Sequence, residues 1–218
     1  LDKERALDIS TIHHIVDLNL NEDQLWKQIR HSSKAIINKG LKLFDFKVFD
    51  SSNFLDELGE THRKMHHSLA GKVTRPIESF KKMSDWVKKG CAIFIQQSYK
   101  KQVAQLIYVA IGGKSAAGAS VVENLNLKTP IPMTHSLNFF IYKEVKKRGV
   151  EYYDVGLTSY RSSLFNHLSK KEIDINHFKR GFGEKNSPLR LWIWFEDHSE
   201  EILYIKERLK FYEKNKIK

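Results

Sequence analysis

Two residues in this chain stand where group-transfer chemistry would need them. Asp154 closes the segment GVEYYDVG (149–156), two residues before Gly156, a position that suits a carboxylate orienting or deprotonating a nucleophile. An aspartate that simply caps the loop after a strand fits the same place equally well. Lys179 lies in HFKRGFG (177–183), with Phe178 beside it and Phe182 three residues on. An ammonium flanked by two rings on a short helix is partly stripped of water, so its charge can meet a tetrahedral oxyanion or a donor phosphate. For an isolated lysine, the ordinary alternative is a stem laid along the surface with its head in water. Arg180 is a weaker companion that also fits a solvent-facing role.

Other residues offer binding rather than bond-making. Arg75, just before Pro76, and Arg63, beside His62, can each clamp a phosphate or carboxylate, or form surface pairs with Glu60 and Glu78. Tyr153 and Tyr160 flank Asp154 and can hydrogen-bond a substrate, although Tyr153 suits the core as well. His62 and His66 are one helical turn apart, a spacing compatible with zinc, but no third ligand stands out and HExxH is absent. Exposed histidines on an amphipathic helix are the expectation there, with no metal. GxSxG is also absent, which removes support for a serine hydrolase.

At 218 residues, 41% of them apolar, the chain is long enough for one sizeable core and short for two. No linker, repeat or low-complexity tract marks an internal boundary. No apolar run approaches the ~20 residues that cross a bilayer, and the start has no secretory pattern, so a cytoplasmic protein is expected. The chain begins at Leu1, as a processed or partial chain would. The lone Cys91, in the apolar run CAIFI, reads as a buried structural thiol in a reducing compartment. A net charge of +11 favours acidic partners such as tRNA, phosphorylated carriers or anionic lipid surfaces. Lysines spread over helix faces (Lys81, Lys82, Lys88, Lys89, Lys146, Lys147) give the same balance as a merely solvated surface.

The elements that must position these residues follow from periodicity. HHIVDL (13–18) predicts a strand, Asn21 an N-cap, and the spacing of Leu25, Ile29 and Ile36 one helix of about four turns stopping at Gly40. Alternation in LKLFDFKVF (41–49) predicts a strand. A helix from about Ser52 to Leu69 ends at Gly71. Pro76 opens another, with Phe80, Met83, Trp86 and Val87 on one face and Gly90 at its end. CAIFIQQSY, QVAQLIYVAI and KSAAGASVV predict an antiparallel meander with hairpins at Lys100-Lys101 and Gly112-Gly113. A loop with Pro130 and Pro132 leads to a helix from Thr134 to Arg148. Next come the strand before Asp154, a short helix at INHFKRGFG, a last strand PLRLWIWF (188–195), and a charged amphipathic helix from Ser199.

Strand, two helices, three-strand meander, helix, strand, helix, strand is the element order of the GNAT (acyl-CoA N-acyltransferase) fold: α+β, with a mixed, mostly antiparallel sheet flanked by helices. Local sequences sharpen this. IVDLNLNEDQLWKQIRHSSKAIINKG, GKVTRPIESFKKM, the strand ending Asp154-Val155-Gly156 and Phe178-Lys179-Arg180-Gly181-Phe182-Gly183 together resemble the FemABX-type branch of the GNAT superfamily. The parts are then an N-terminal strand and helix (1–40), a GNAT-like transferase domain (41–197) and a C-terminal charged helix (198–218).

The resemblance implies transfer of an acyl or aminoacyl group from an activated donor, acyl-CoA or aminoacyl-tRNA, to an amine-bearing glycan or peptidoglycan precursor. It implies no permanently bound cofactor, places Lys179 at the reaction centre and favours a functional Asp154. Peripheral membrane contact fits such an acceptor. Two features depart from the family: the sequence holds one domain where the family carries two, and it shows no coiled-coil arm of alternating charge. The glycine loop that cradles CoA pyrophosphate is also absent from VVENLNLKTPIPMTHSLNFF, which argues against ordinary CoA binding. A non-catalytic binding domain for a charged carrier and a CoA-dependent N-acetyltransferase are the alternatives.

Overall fold

The computed structural model describes residues 6–8, 11–158, 170–183, 185–189 and 192–214. The N-terminal elements are β1 (Ala6–Asp8), β2 (Thr11–Asp17), α1 (Glu22–Gln28), α2 (His31–Leu43), β3 (Asp45–Phe49), α3 (Asp56–Ala70) and α4 (Ile77–Lys88). The meander is β4 (Ala92–Tyr99), β5 (Gln102–Gly112) and β6 (Ser115–Glu123). After it come α5 (Thr134–Lys147), β7 (Tyr152–Thr158), α6 (Lys170–Lys179), β8 (Lys185–Leu189), β9 (Trp192–Trp194) and α7 (His198–Lys214). Seven strands pair in the order β3-β4-β5-β6-β7-β2-β8, and β1 pairs with β9. The pairings β3–β4, β4–β5, β5–β6 and β2–β8 are antiparallel, whereas β6–β7 is parallel. This is a mixed α+β sheet flanked by helices, of GNAT-like architecture. Among the described residues no helix is long and apolar enough to cross a membrane.

The chain divides into two compact units, Val16–Asp154 and Leu1–Ile15 with Val155–Lys218. In the first, Phe94, Leu106, Tyr108 and Val122 pack from one sheet face against Leu58 of α3 and Val87 of α4. Each such side chain contributes about 1.5–3 kcal/mol of transfer free energy. On the opposite face Gln97 donates to the Met133 carbonyl and to Ser136 Oγ, both at 3.2 Å, tying the meander to the start of α5. Lys146, on the last turn of α5, is not a solvated surface lysine: its ammonium donates to the carbonyls of Leu18 and, at 2.7 Å, Leu20.

One irregularity governs this unit. Tyr108 stands opposite Ser120 and Val109 opposite Gly118, so Ala119 is an extra residue in β6. Residues two apart in a strand ordinarily share a face; the bulge puts Gly118 and Ser120 on opposite faces. The parallel pairing of β6 with β7 runs only from Ser115↔Tyr152 to Ala117↔Asp154 and stops just short of the bulge.

In the second unit, β8 pairs with the start of β2 from Thr11↔Leu189 to Ile15↔Lys185, and β1 pairs with β9. Tyr204 of α7 sets its ring 5.5 Å from that of Phe195.

Several sequence expectations are corrected. The single helix ending at Gly40 is two, broken at Ile29, and Gly40 lies inside α2. A Cβ on Gly40 would stand 2.4 Å from Ser136 Oγ, so the glycine serves close packing of α2 on α5 and not termination. Leu41–Leu43 therefore belong to α2, and β3 begins at Asp45. Trp86 points away from the apolar face of α4 and is 49% exposed. PLRLWIWF is divided between β8 and β9, which pair with different strands. Cys91 is exposed, because it precedes β4 at the sheet margin. His62 is not an exposed helix histidine but fully buried, 5.1 Å from the ring of Phe94.

Two predictions follow from local physics. Lys100 and Lys101 both hold positive φ, 49° and 63°, in the two-residue β4–β5 hairpin, where glycine at the second position is favoured. Lys101→Gly is expected to stabilise the protein by about 1 kcal/mol, a rise of ~2–4 °C in Tm by scanning calorimetry. Burial first, then the charges of His66 and Arg75, lower His62 from 6.5 to about 4. The unfolded chain thus takes up this proton before the folded one. The stability is fully present above pH 6.5 and is lost as pH falls toward 4, on the order of 3 kcal/mol in all. Urea titrations across this range should show a shallower acid slope in His62→Phe; an unchanged slope would refute the assignment.

Candidate functional site

Asp154 is half-buried in β7 and makes the last registered contact with β6, at the point where the two strands cease to pair. Its neighbour Tyr153 turns to the other side of the strand and is core, 1% exposed, with its ring 5.2 Å from Tyr142. The Tyr153 hydroxyl occupies the space a Cβ on Gly118 would need, 2.5 Å from it. Burial first, and then the Asp154 charge, push the Tyr153 phenol well up, so it stays protonated at neutral pH.

Lys179 is the last residue of α6, half-buried, with Phe178 and Phe182 rings 4.9 Å apart on either side of it in sequence. Phe182 is 1% exposed, and Gly181 and Gly183 are buried with it. The turn after the helix is held by main-chain bonds from Gly181 to Phe178 and from Phe182 to Lys179, at 2.9 and 3.1 Å. The Lys179 ammonium lies 2.8 Å from the point where a Cβ on Gly156 would stand. Gly156 adopts φ 109°, a conformation side chains strongly disfavour, so the backbone there favours glycine, and a Cβ would also push the ammonium aside. Along β7, Gly156 follows Asp154 by two positions.

Sequence reasoning missed two residues that fix this motif. His14, 2% exposed on β2, bonds through its ring to the Gly183 carbonyl, and Asn176, 4% exposed, accepts through its carbonyl from the Arg180 main chain at 3.1 Å. His14 lies at an apolar-strand position, and its polarity there was the available signal. Arg180 itself is exposed and donates through Nε to the same Asn176 carbonyl at 3.4 Å.

The remaining candidates are dispersed. Arg63 is engaged by Glu60 through two bonds of 2.7 and 2.5 Å and lies 3.3 Å from His67 Nδ1. Arg75 is half-buried beside His62 and His66. Tyr160 lies outside the described residues. Among the described residues no group of three or more His, Cys, Asp or Glu side chains is arranged to hold a metal.

The start of α5, where a GNAT fold offers amides to a pyrophosphate, carries a polar clamp instead. Gln105 donates to Thr134 Oγ1 at 3.0 Å and to the Glu123 carboxylate at 3.4 Å. Gln105 thereby links the Glu123 carboxylate to the first residue of α5, and a negative charge near a helix start disfavours a phosphate there.

The sequence matches no family model and no curated protein. Solved structures do match in fold. The C-terminal domain of a putative lysylphosphatidylglycerol synthetase from Agrobacterium fabrum superposes with a TM-score of 0.66 at 15% identity, covering 93% of this chain. The structure of L-PGS from Bacillus licheniformis gives 0.64 at 11% over 94% of the chain, and FemX gives 0.63 at 11% over 90%. The chain spans 64%, 67% and 64% of those three structures' lengths, respectively. At such identities what is shared is the fold: this chain has the architecture of the FemX and L-PGS structures.

Proposed function

We propose that this protein transfers an acyl or aminoacyl group from an activated donor to an amine, in cytoplasmic assembly of a cell-envelope glycan or peptidoglycan precursor. The observation that carries the reading is the seat of Lys179 against Gly156 of β7. The amine nitrogen attacks the donor carbonyl, and its electron pair forms the new C–N bond while the C=O pair moves onto oxygen. Lys179 stabilises that oxyanion by its positive charge. Asp154 accepts the proton the nitrogen sheds. As the carbonyl re-forms, the bond to the leaving oxygen or sulfur breaks, and the proton passes to the leaving group.

Of the two donor classes, the Glu123 carboxylate beside the start of α5 supports aminoacyl-tRNA over acyl-CoA. The net charge of +11 supports a polyanionic carrier in the same sense. Arg75 serves substrate binding in this scheme. Arg63, already paired, and the buried Tyr153 serve to support the elements that carry the site.

Purified protein screened against charged tRNAs and acyl-CoAs should show transfer with one donor class, and calorimetry with acetyl-CoA should show no binding. Lys179→Ala and Asp154→Asn are each expected to lower turnover by about a hundredfold or more with circular dichroism unchanged. Gly156→Ala should be comparably damaging, since it strains β7 and displaces the ammonium. Turnover within a few-fold of the parent in both Lys179→Ala and Asp154→Asn would remove the mechanism. Carrier binding without transfer from any donor would instead indicate a binding domain.

A further inference from the structure

The corner between the second half of α3, the 71–76 connection and the part of β6 beyond the bulge collects polar groups that the transfer step does not use. His62 is fully buried, with its ring directed at the Ser120 main chain and no side chain bonded to either ring nitrogen. Ser120 is 7% exposed, its hydroxyl is unpartnered, and its main chain lies close to the His62 ring. One turn along α3, His66 Nδ1 lies 3.3 Å from Thr74 Oγ1. Phe80 walls the corner, its ring 6.0 Å from His62 and 5.4 Å from His66. Arg75 is half-buried and forms no ion pair with any described residue.

The charges bearing on this corner have one sign. His62 is influenced by His66 and Arg75, and His66 by Arg75 and His67. Glu60, on the same helix, is taken by Arg63 and Lys64. The other elements that face His62 present neutral groups: Phe80 from α4, Phe94 from β4, Ser120 from β6. Burial and the positive neighbours lower both imidazoles, the direction opposite to that which a nearby carboxylate would produce. A buried hydroxyl left unmet at Ser120, beside the uncompensated charge of Arg75, is costly, and an anion relieves both terms at once.

We propose that this corner binds the oxyanion of an acidic substrate, a carboxylate or a phosphate, through Arg75, His62, His66 and the Ser120 hydroxyl. Arg75 supplies the charge and a planar fork suited to two oxygens, while the imidazole N–H groups and the hydroxyl donate. That the anion belongs to the acyl acceptor rests on the transferase function proposed above; the anion site does not.

The test is a histidine-ring NMR titration of the full chain with sodium phosphate and with sodium acetate, at ionic strength held constant with chloride. The His62 and His66 signals should shift on anion addition, and their titration midpoints should move up. Arg75→Gln should abolish the response, Arg75→Lys should retain part of it, and Ser120→Ala should weaken binding several-fold. Response to phosphate alone assigns a phosphate group; response to acetate as well assigns a carboxylate. Signals that move no more than in chloride, or a full response in Arg75→Gln, would overturn the proposal. Lys179→Ala should leave the titration unchanged: a protein that binds the anions but transfers nothing keeps this site and loses the transferase reading.

Discussion

A single extra residue in β6 sets the geometry of the larger unit. Ala119 has no partner on β5, and its insertion turns Gly118 and Ser120 to opposite sides of the sheet. On one side, the bare Gly118 leaves room for the Tyr153 hydroxyl, which locks β7 against β6 up to Asp154. On the other, Ser120 faces the helices and meets the buried His62. Without the bulge those two residues would share a face, and one of the two arrangements would be lost. The registered pairing with β7 ends at the same place, so the carboxylate of Asp154 stands where the sheet begins to open.

Glycines, rather than side chains, then decide where the charged groups go. Gly156 combines a positive φ with the close approach of the Lys179 ammonium, so a residue with a Cβ would be strained and would move the ammonium. The segment after Lys179 is held by main-chain turns, a buried Phe182 and the bond from His14 to Gly183, so the lysine is carried on a fixed support. Preorganised charge of this kind costs no rearrangement when an oxyanion forms. By contrast, Arg63 and Arg180 already have partners in Glu60 and the Asn176 carbonyl, which leaves Arg75 as the unpaired guanidinium among the named arginines.

The sequence by itself determined the meander, the crossover helix α5, the strand before Gly156 and the short helix bearing Lys179, because each rests on local periodicity and on caps such as the Asn21 capping box. It also singled out Asp154 and Lys179 as candidates, through residue types in a recognisable order. Where it failed, the deciding contact was distant in the chain. Gly40 reads as a helix stop until Ser136 of α5 is seen to fill its space, and His62 reads as a surface histidine until Phe80 and Phe94 close over it. The division of PLRLWIWF between two strands likewise depends on partners near the other end of the chain. Only the tertiary structure decided burial, and with it which polar groups are satisfied and which are not. A side chain's solvation depends on every element packed around it, whereas its helix or strand state depends chiefly on its neighbours in sequence.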